Sequence, residues 1–374
     1  MTAASAPRPG AGPAGMSALG IAAVLLGVLF TAYEANEWMR QLVVESATPA
    51  SLELPAAECP ADELEEEGLS LAECEQLVAN IRSYIVSQPG WFAGTQAWLA
   101  ALGVMLGAIT IVSGALLANY GAWGAKLGAA AFAALVAVDI GHFVAAQQAG
   151  PILREIHLPV ALLWFSIHLA FALACCASLR QERAAVPGPA AQADAAPAAY
   201  GRFEVAGHWF LAVSVFFLFV SSWWMLALPL PSDVFRYREF PFQLHKNLGI
   251  TIVLLLIAMA LIRILRRQAL AAMPAESPAM RRARLGGHVA LYGLIFAVCI
   301  TGYMSSSYSG WGTTFWWLVD LPYWGREDEE LNQLYSDLHL WTCWALLVAM
   351  AVHIGAALAH AFRNDGVVRR ILRW

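Results

Sequence analysis

Eight stretches of this chain are long and apolar enough to cross a lipid bilayer, and this constrains its fold more than any other feature. They run roughly over 17–38, 92–118, 126–147, 157–179, 205–228, 245–266, 286–307 and 336–360. About 20 apolar residues in a helix cross the roughly 30 Å hydrocarbon layer. The pattern predicts an all-α polytopic membrane protein with eight transmembrane helices. Composition agrees: 13% of residues are charged, against about 25% in soluble globular domains.

Basic residues set the expected orientation, because cytoplasmic connections carry an excess of Lys and Arg. The connection 263–284 holds Arg263, Arg266, Arg267, Arg281, Arg282 and Arg284. Arg180, Arg183 and Arg202 flank the connection before the fifth span, and Arg363, Arg369, Arg370 and Arg373 lie in the tail. Eight spans place all three groups on one side. The opposite connections are acidic, from Glu58 to Glu75 and from Asp320 to Glu330. A bacterial inner-membrane protein with both termini cytoplasmic is expected. The Arg clusters sit beside spans, so topology explains them and nothing points to nucleic acid. The first run, Leu19 to Tyr33, has the length of a signal-peptide core. Only Arg8 precedes it, and Glu34, Asn36 and Glu37 follow where small residues would mark cleavage, so it reads as a retained span.

The segment 183–201, RAAVPGPAAQADAAPAAYG, is rich in Ala and Pro without apolar periodicity and reads as a cytoplasmic linker. The expected organisation is a four-span domain over 1–182, a linker over 183–202 and a second four-span domain over 203–374, each a four-helix bundle. The first domain carries an acidic external loop over about 40–90. Within it, Leu69, Leu71, Leu77, Val78, Ile81 and Ile85 suggest one amphipathic helix over about 70–86, ended by Pro89-Gly90. The loop could dock a basic periplasmic protein such as a small cytochrome, or simply be solvated. Cys59 and Cys74 fall in it, where an oxidising compartment allows a disulfide; two free thiols are the alternative. Cys175, Cys176, Cys299 and Cys343 lie in spans and lack metal-ligand spacing, so they read as packing residues.

Histidines carry the chemistry. His339 and His353 are fourteen residues apart on the last span. On a helix that separation is about 21 Å and almost four whole turns, so both imidazoles share a face near opposite sides of the bilayer. Matching depths across the topology pairs His245 with His339 at an outer level and His208 with His353 at an inner level. His288 competes for the inner position. Two imidazoles on facing helices are what a six-coordinate b-type haem requires, whereas a single intramembrane His is more simply an interhelical hydrogen-bonding residue. In the first half, His157 and His168 share a helix face, and His142 stands one turn from Asp139. A third haem, a quinone pocket or helix–helix hydrogen bonding would each use them.

From about 200 to 374 the chain resembles the bacterial cytochrome b561 family of four-helix, di-haem membrane cytochromes. The matching pieces are Gly207-His208-Trp209, then Leu244-His245-Lys246-Asn247-Leu248-Gly249, then His288 through Leu291-Tyr292 to Thr301-Gly302-Tyr303-Met304-Ser305-Ser306. Leu338-His339, His353-Ile354-Gly355 through His360, and the ending Asp365-Gly366-Val367-Val368-Arg369-Arg370 complete them in order. The resemblance implies two haems b with His208, His245, His339 and His353 as axial ligands of iron. It also implies one-electron exchange and ubiquinone as a substrate; one member type oxidises superoxide on the periplasmic side. The expected activity is quinone-linked electron transfer between a periplasmic partner and the quinone pool. Lys246, beside the outer pair, could attract an anion, pair with a haem propionate or merely snorkel to the interface. Arg263 is deep enough to reach a propionate, and Trp209, Trp223, Trp224, Trp316, Trp317 and Trp324 suit interfacial belts. Two other readings stand beside this one: a subunit of a larger respiratory or photosynthetic complex with the first half as docking module, and a haem-free membrane scaffold.

Overall fold

The computed structural model describes residues 14–47, 59–66, 68–119, 123–184, 201–228, 237–265, 277–363 and 367–372. The linker expected over 183–202 falls mostly outside them, as do Arg266, Arg267 and the side chain of Arg263. The chain is a helical membrane protein, and among the described residues eight helices are long and apolar enough to span a bilayer. These are α1 (Ala14–Ala47), α4 (Phe92–Ala118), α5 (Gly124–Gln148), α6 (Pro151–Ala184), α7 (Arg202–Met225), α8 (Glu239–Leu265), α9 (Pro278–Tyr308) and α10 (Glu329–Arg363). Several run past the apolar window into the interfaces, since helical hydrogen bonding does not stop where hydropathy falls. Short helices α2 (Ala61–Glu66), α3 (Leu71–Val86) and α11 (Arg369–Leu372) complete the helical set. Strands β1 (Thr314–Phe315) and β2 (Val319–Asp320) form a small antiparallel hairpin between α9 and α10.

α1 is the central helix: 61% of its most apolar window is buried, against none of that window in α9. It packs most extensively on α4 and also touches α7, α8 and α10. α5 packs between α4 and α6, while α9 packs on α10 and α8 on α7. Two polar clasps join the first four spans to the last four. Asn36 donates to Phe217 O at 3.1 Å and accepts from Trp224 Nε1 at 3.3 Å. On the opposite face, α11 tucks under α4 and α7: Asn119 donates to Leu372 O at 3.0 Å and Trp209 Nε1 donates to Ile371 O at 3.2 Å.

α3 caps one end of the first four spans. Its start follows from sequence: Ser70 accepts from the Glu73 backbone N–H while the Glu73 carboxylate accepts from the Ser70 backbone, a reciprocal capping box. Val78, Tyr84 and Ile85 are buried against α1, alongside Met39 and Val43. Cys59 and Cys74 form a disulfide that ties α3 to the segment before α2, with a sequence separation of 15. A closed loop of that length stabilises by about 3 kcal/mol in the chain-entropy account. Changing both cysteines to serine is expected to raise protease cleavage within 59–90 while the spanning helices stay protected, as limited proteolysis with mass spectrometry would read.

Candidate haem-binding site

α7, α8, α9 and α10 bring five histidines together at two levels. At one level the His245 and His339 ring centres are 6.3 Å apart. At the other, His208 and His353 are also 6.3 Å apart, and His288 approaches His353 at 5.6 Å. Two imidazoles on opposite sides of one metal ion, with metal–nitrogen distances of about 2.0 Å and ring centres roughly 1.2 Å behind each nitrogen, have centroids about 6.4 Å apart. The two 6.3 Å pairs match that span; 5.6 Å is short for it.

Hydrogen bonding fixes two of the rings. A carbonyl oxygen can only accept, so the 2.9 Å contact from His339 Nδ1 to Val298 O makes Nδ1 the protonated nitrogen. Nε2 of the neutral ring then keeps its lone pair. This is the usual arrangement of a metal-ligating histidine, whose second nitrogen is oriented by a backbone carbonyl. The His288 ring is fixed likewise by Arg284 O at 2.8 Å, one turn back on its own helix. His245 Nδ1 is buried and has no hydrogen-bond partner, an exception to the pairing of buried polar atoms. Gly302 leaves room for the His339 imidazole: a Cβ there would stand 2.9 Å from Cε1 and 3.0 Å from Nδ1. Cys343 lies one turn along α10, its Sγ 3.7 Å from His339 Nε2.

The helices that carry these rings turn most of their apolar surface outward: 11% of the apolar window of α8 and 6% of that of α10 is buried. The matched ring separations, the buried unpartnered nitrogen of His245 and the oriented ring of His339 fit haem.

Lys246 sits beside the outer pair. Its ammonium donates to Ser306 Oγ at 3.1 Å, Trp311 O at 3.1 Å and Gly312 O at 3.0 Å, which uses all three of its N–H groups. It thus fastens the loop between α9 and α10. The same loop is held at Trp316, whose N–H donates to Asn247 Oδ1 at 3.1 Å and whose indole donates to Thr251 Oγ1 at 3.0 Å. Trp316 and Trp317 have φ of 46° and 56°, a left-handed backbone that bulky residues rarely adopt. Gly or Asn would have signalled this turn in the sequence; tryptophan hides it. Val298 O and Gly302 were equally invisible as partners of His339, because backbone carbonyls and absent side chains leave no chemical pattern.

A model of the prokaryotic cytochrome b561 family matches residues 199–374. Cytochrome b561 homolog 2 of Escherichia coli (strain K12) is 31% identical over 177 residues, which cover 47% of this chain and 92% of that relative. The chain belongs to the prokaryotic cytochrome b561 family. No solved structure matches it significantly. Cytochrome b561 membership makes it a multi-pass bacterial membrane protein of the b-type haem electron-transfer class, and it implies haem b binding. All five clustered histidines lie inside the matched region. The first four spans lie outside it.

The histidines of those first spans do not form a comparable pair. His142 bonds Gln96, His157 Nε2 is 3.3 Å from the Tyr84 hydroxyl, and His168 Nδ1 is 2.7 Å from Asp139 Oδ2. Asp139 therefore pairs across helices with His168, not along its own helix with His142.

Proposed function

We propose that this cytochrome b561 is a di-haem protein that carries single electrons across the bacterial inner membrane. The external partner is a one-electron donor or acceptor, with superoxide as the first small molecule to test, and ubiquinone links the other end to the quinone pool. The observation that carries the reading is the pair of equal 6.3 Å imidazole separations at two levels, both anchored on α10. His245 and His339 would hold the outer haem, and His208 and His353 the inner one. His288, at 5.6 Å from His353, would line the inner site. Orientation follows the arginine distribution, with the α3 face external and both termini cytoplasmic. The chain would divide into a four-span module over 1–182 and a cytochrome module over 203–374.

Bound haem supplies reversible one-electron chemistry at iron, with potentials set by axial ligands, hydrogen bonding and burial. The residues here contribute the rest. Val298 O holds the His339 ring in the tautomer that presents Nε2. Apolar side chains from all four helices, among them Leu211, Ile252, Ile295 and Leu346, form one cluster between the two levels. Lys246 keeps a positive charge at the external rim while fixing the loop above it, so an anion arriving from outside meets an attractive field.

The test is a reduced-minus-oxidised spectrum of the purified full chain, with haem stoichiometry and a redox titration. Two haems b per chain, two titration waves and oxidation by a ubiquinone analogue are expected. A chain without a b-type α-band would be a scaffold, and a single wave from one haem would end the two-site reading.

A further inference from the structure

The first four spans contain a file of proton-exchanging side chains that electron transfer does not use. Its members stand one helical turn apart on α1 and α5 or meet across neighbouring helices. On α1, Glu34 and Glu37 are three residues apart, and so are Asp139 and His142 on α5. Glu34 Oε2 lies 3.7 Å from His142 Nε2. Glu34 is also close enough to Asp139 to interact electrostatically. Asp139 Oδ2 then meets His168 Nδ1 at 2.7 Å, with exposures of 2% and 0%.

The other end of the file rises to the face capped by α3. Gln41 donates to Glu37 Oε1 at 2.7 Å and to the Tyr84 hydroxyl at 3.0 Å and so orients both groups without carrying the proton, whose route runs between His157 and Glu37, close enough to interact electrostatically. That hydroxyl is in turn 3.3 Å from His157 Nε2. Burial pushes the Tyr84 phenol above its ordinary value, so it keeps its proton near neutral pH. Arg40 also faces this end, bonded to Glu37 at 2.6 Å, and its charge is offset there.

Hydrogen bonding between helices explains part of the cluster, but not its centre. Glu34 is 2% exposed, and its Oε2 makes no hydrogen bond. His168 Nε2 is likewise buried and unpartnered. Ionisable groups inside a bilayer are costly, and helix–helix fixation would have paired these atoms. Beyond His168 the file is closed: Phe30 packs edge-on at 4.4 Å, Trp164 stacks at 5.5 Å and Phe132 tilts at 6.1 Å.

We propose that this file is a blind proton relay that begins at His157 and Glu37 beneath α3 and ends at the Asp139–His168 dyad in the membrane interior. The dyad binds one proton, as a carboxyl against neutral imidazole or as a carboxylate against imidazolium. A proton entering from the α3 face crosses part of the membrane field and stops.

The test uses full-length protein in proteoliposomes sorted for α3 facing outward, adsorbed on a solid-supported membrane electrode and given a pH step. Wild type is expected to give a transient charge displacement with no steady current. Glu34→Gln and Asp139→Asn are expected to lose the transient, and Glu34→Asp to retain it, with wild-type helicity and melting by circular dichroism reporting that the first four spans of each variant have folded. An absent transient in wild type, a steady wild-type current, or an equal transient in folded Glu34→Gln and Asp139→Asn would each overturn the proposal.

Discussion

Replacing His339 with alanine is expected to remove one of two haems and leave the other bound. The ring is the only imidazole of α10 at its level, and its partner His245 comes from another helix. Alanine would remove the imidazole proposed to hold haem and its Nδ1 hydrogen bond to Val298 O together. His353→Ala is expected to remove the other haem, because fourteen residues of helix, about 21 Å, separate the two positions. The double variant should bind none. His288→Ala discriminates the inner pair: with His208 as ligand, both haems stay. Haem-to-protein ratio measures all four variants. Retention of both haems by either single α10 variant would refute the pairing, and loss of one haem in His288→Ala would move the inner ligand from α7 to α9.

The spacing of His339 and His353 was legible because helical periodicity is a local property of one segment. Depth matching to His208 and His245 needed only the number of spans and their directions, which hydropathy and arginine placement supply. The Asp139–His168 pair was not legible. It joins α5 to α6 across 29 residues, and interhelical register depends on which small residues let which backbones approach. Sequence adjacency suggested His142 for Asp139, yet His142 turns to Gln96 on α4 instead. The β1–β2 hairpin was hidden for a different reason. Its turn is held by Asn247 and Thr251 from α8, contacts more than sixty residues away that overrule the local preference of Trp316. The long α1 was visible as a span, but its central place was not, because its polar residues Asn36, Glu37 and Gln41 read as the end of a hydrophobic run. They are buried, since α3 covers them and α7 accepts from Asn36.

Gly20→Leu is expected to destabilise the whole molecule rather than its first half alone. A Cβ at Gly20 would stand 2.4 Å from Ala118 N and 2.6 Å from Gly114 O. Both are backbone atoms of α4 that no rotamer change can move. Reciprocally, a Cβ at Gly114 would meet Gly20 O at 2.6 Å and Val24 N at 2.8 Å. Lipid gives little hydrophobic drive to helix association, so contacts this close supply much of it. A leucine forces α1 and α4 apart, and overpacking costs about 1–3 kcal/mol or more. The strain does not stay local. Seven residues on, Gly27 is packed against Thr110 and Ile111 of the same partner helix, so a tilt of α1 opens that contact too. Sixteen residues on, Asn36 holds Phe217 and Trp224 of α7, the helix that carries His208. Thermal melts of Gly20→Leu followed by circular dichroism and by the haem band should therefore shift downward together. A fall in helicity with an unchanged haem transition would mean that the cytochrome bundle stands without α1, and an unchanged melt in both signals would remove the close α1–α4 contact from the account of stability.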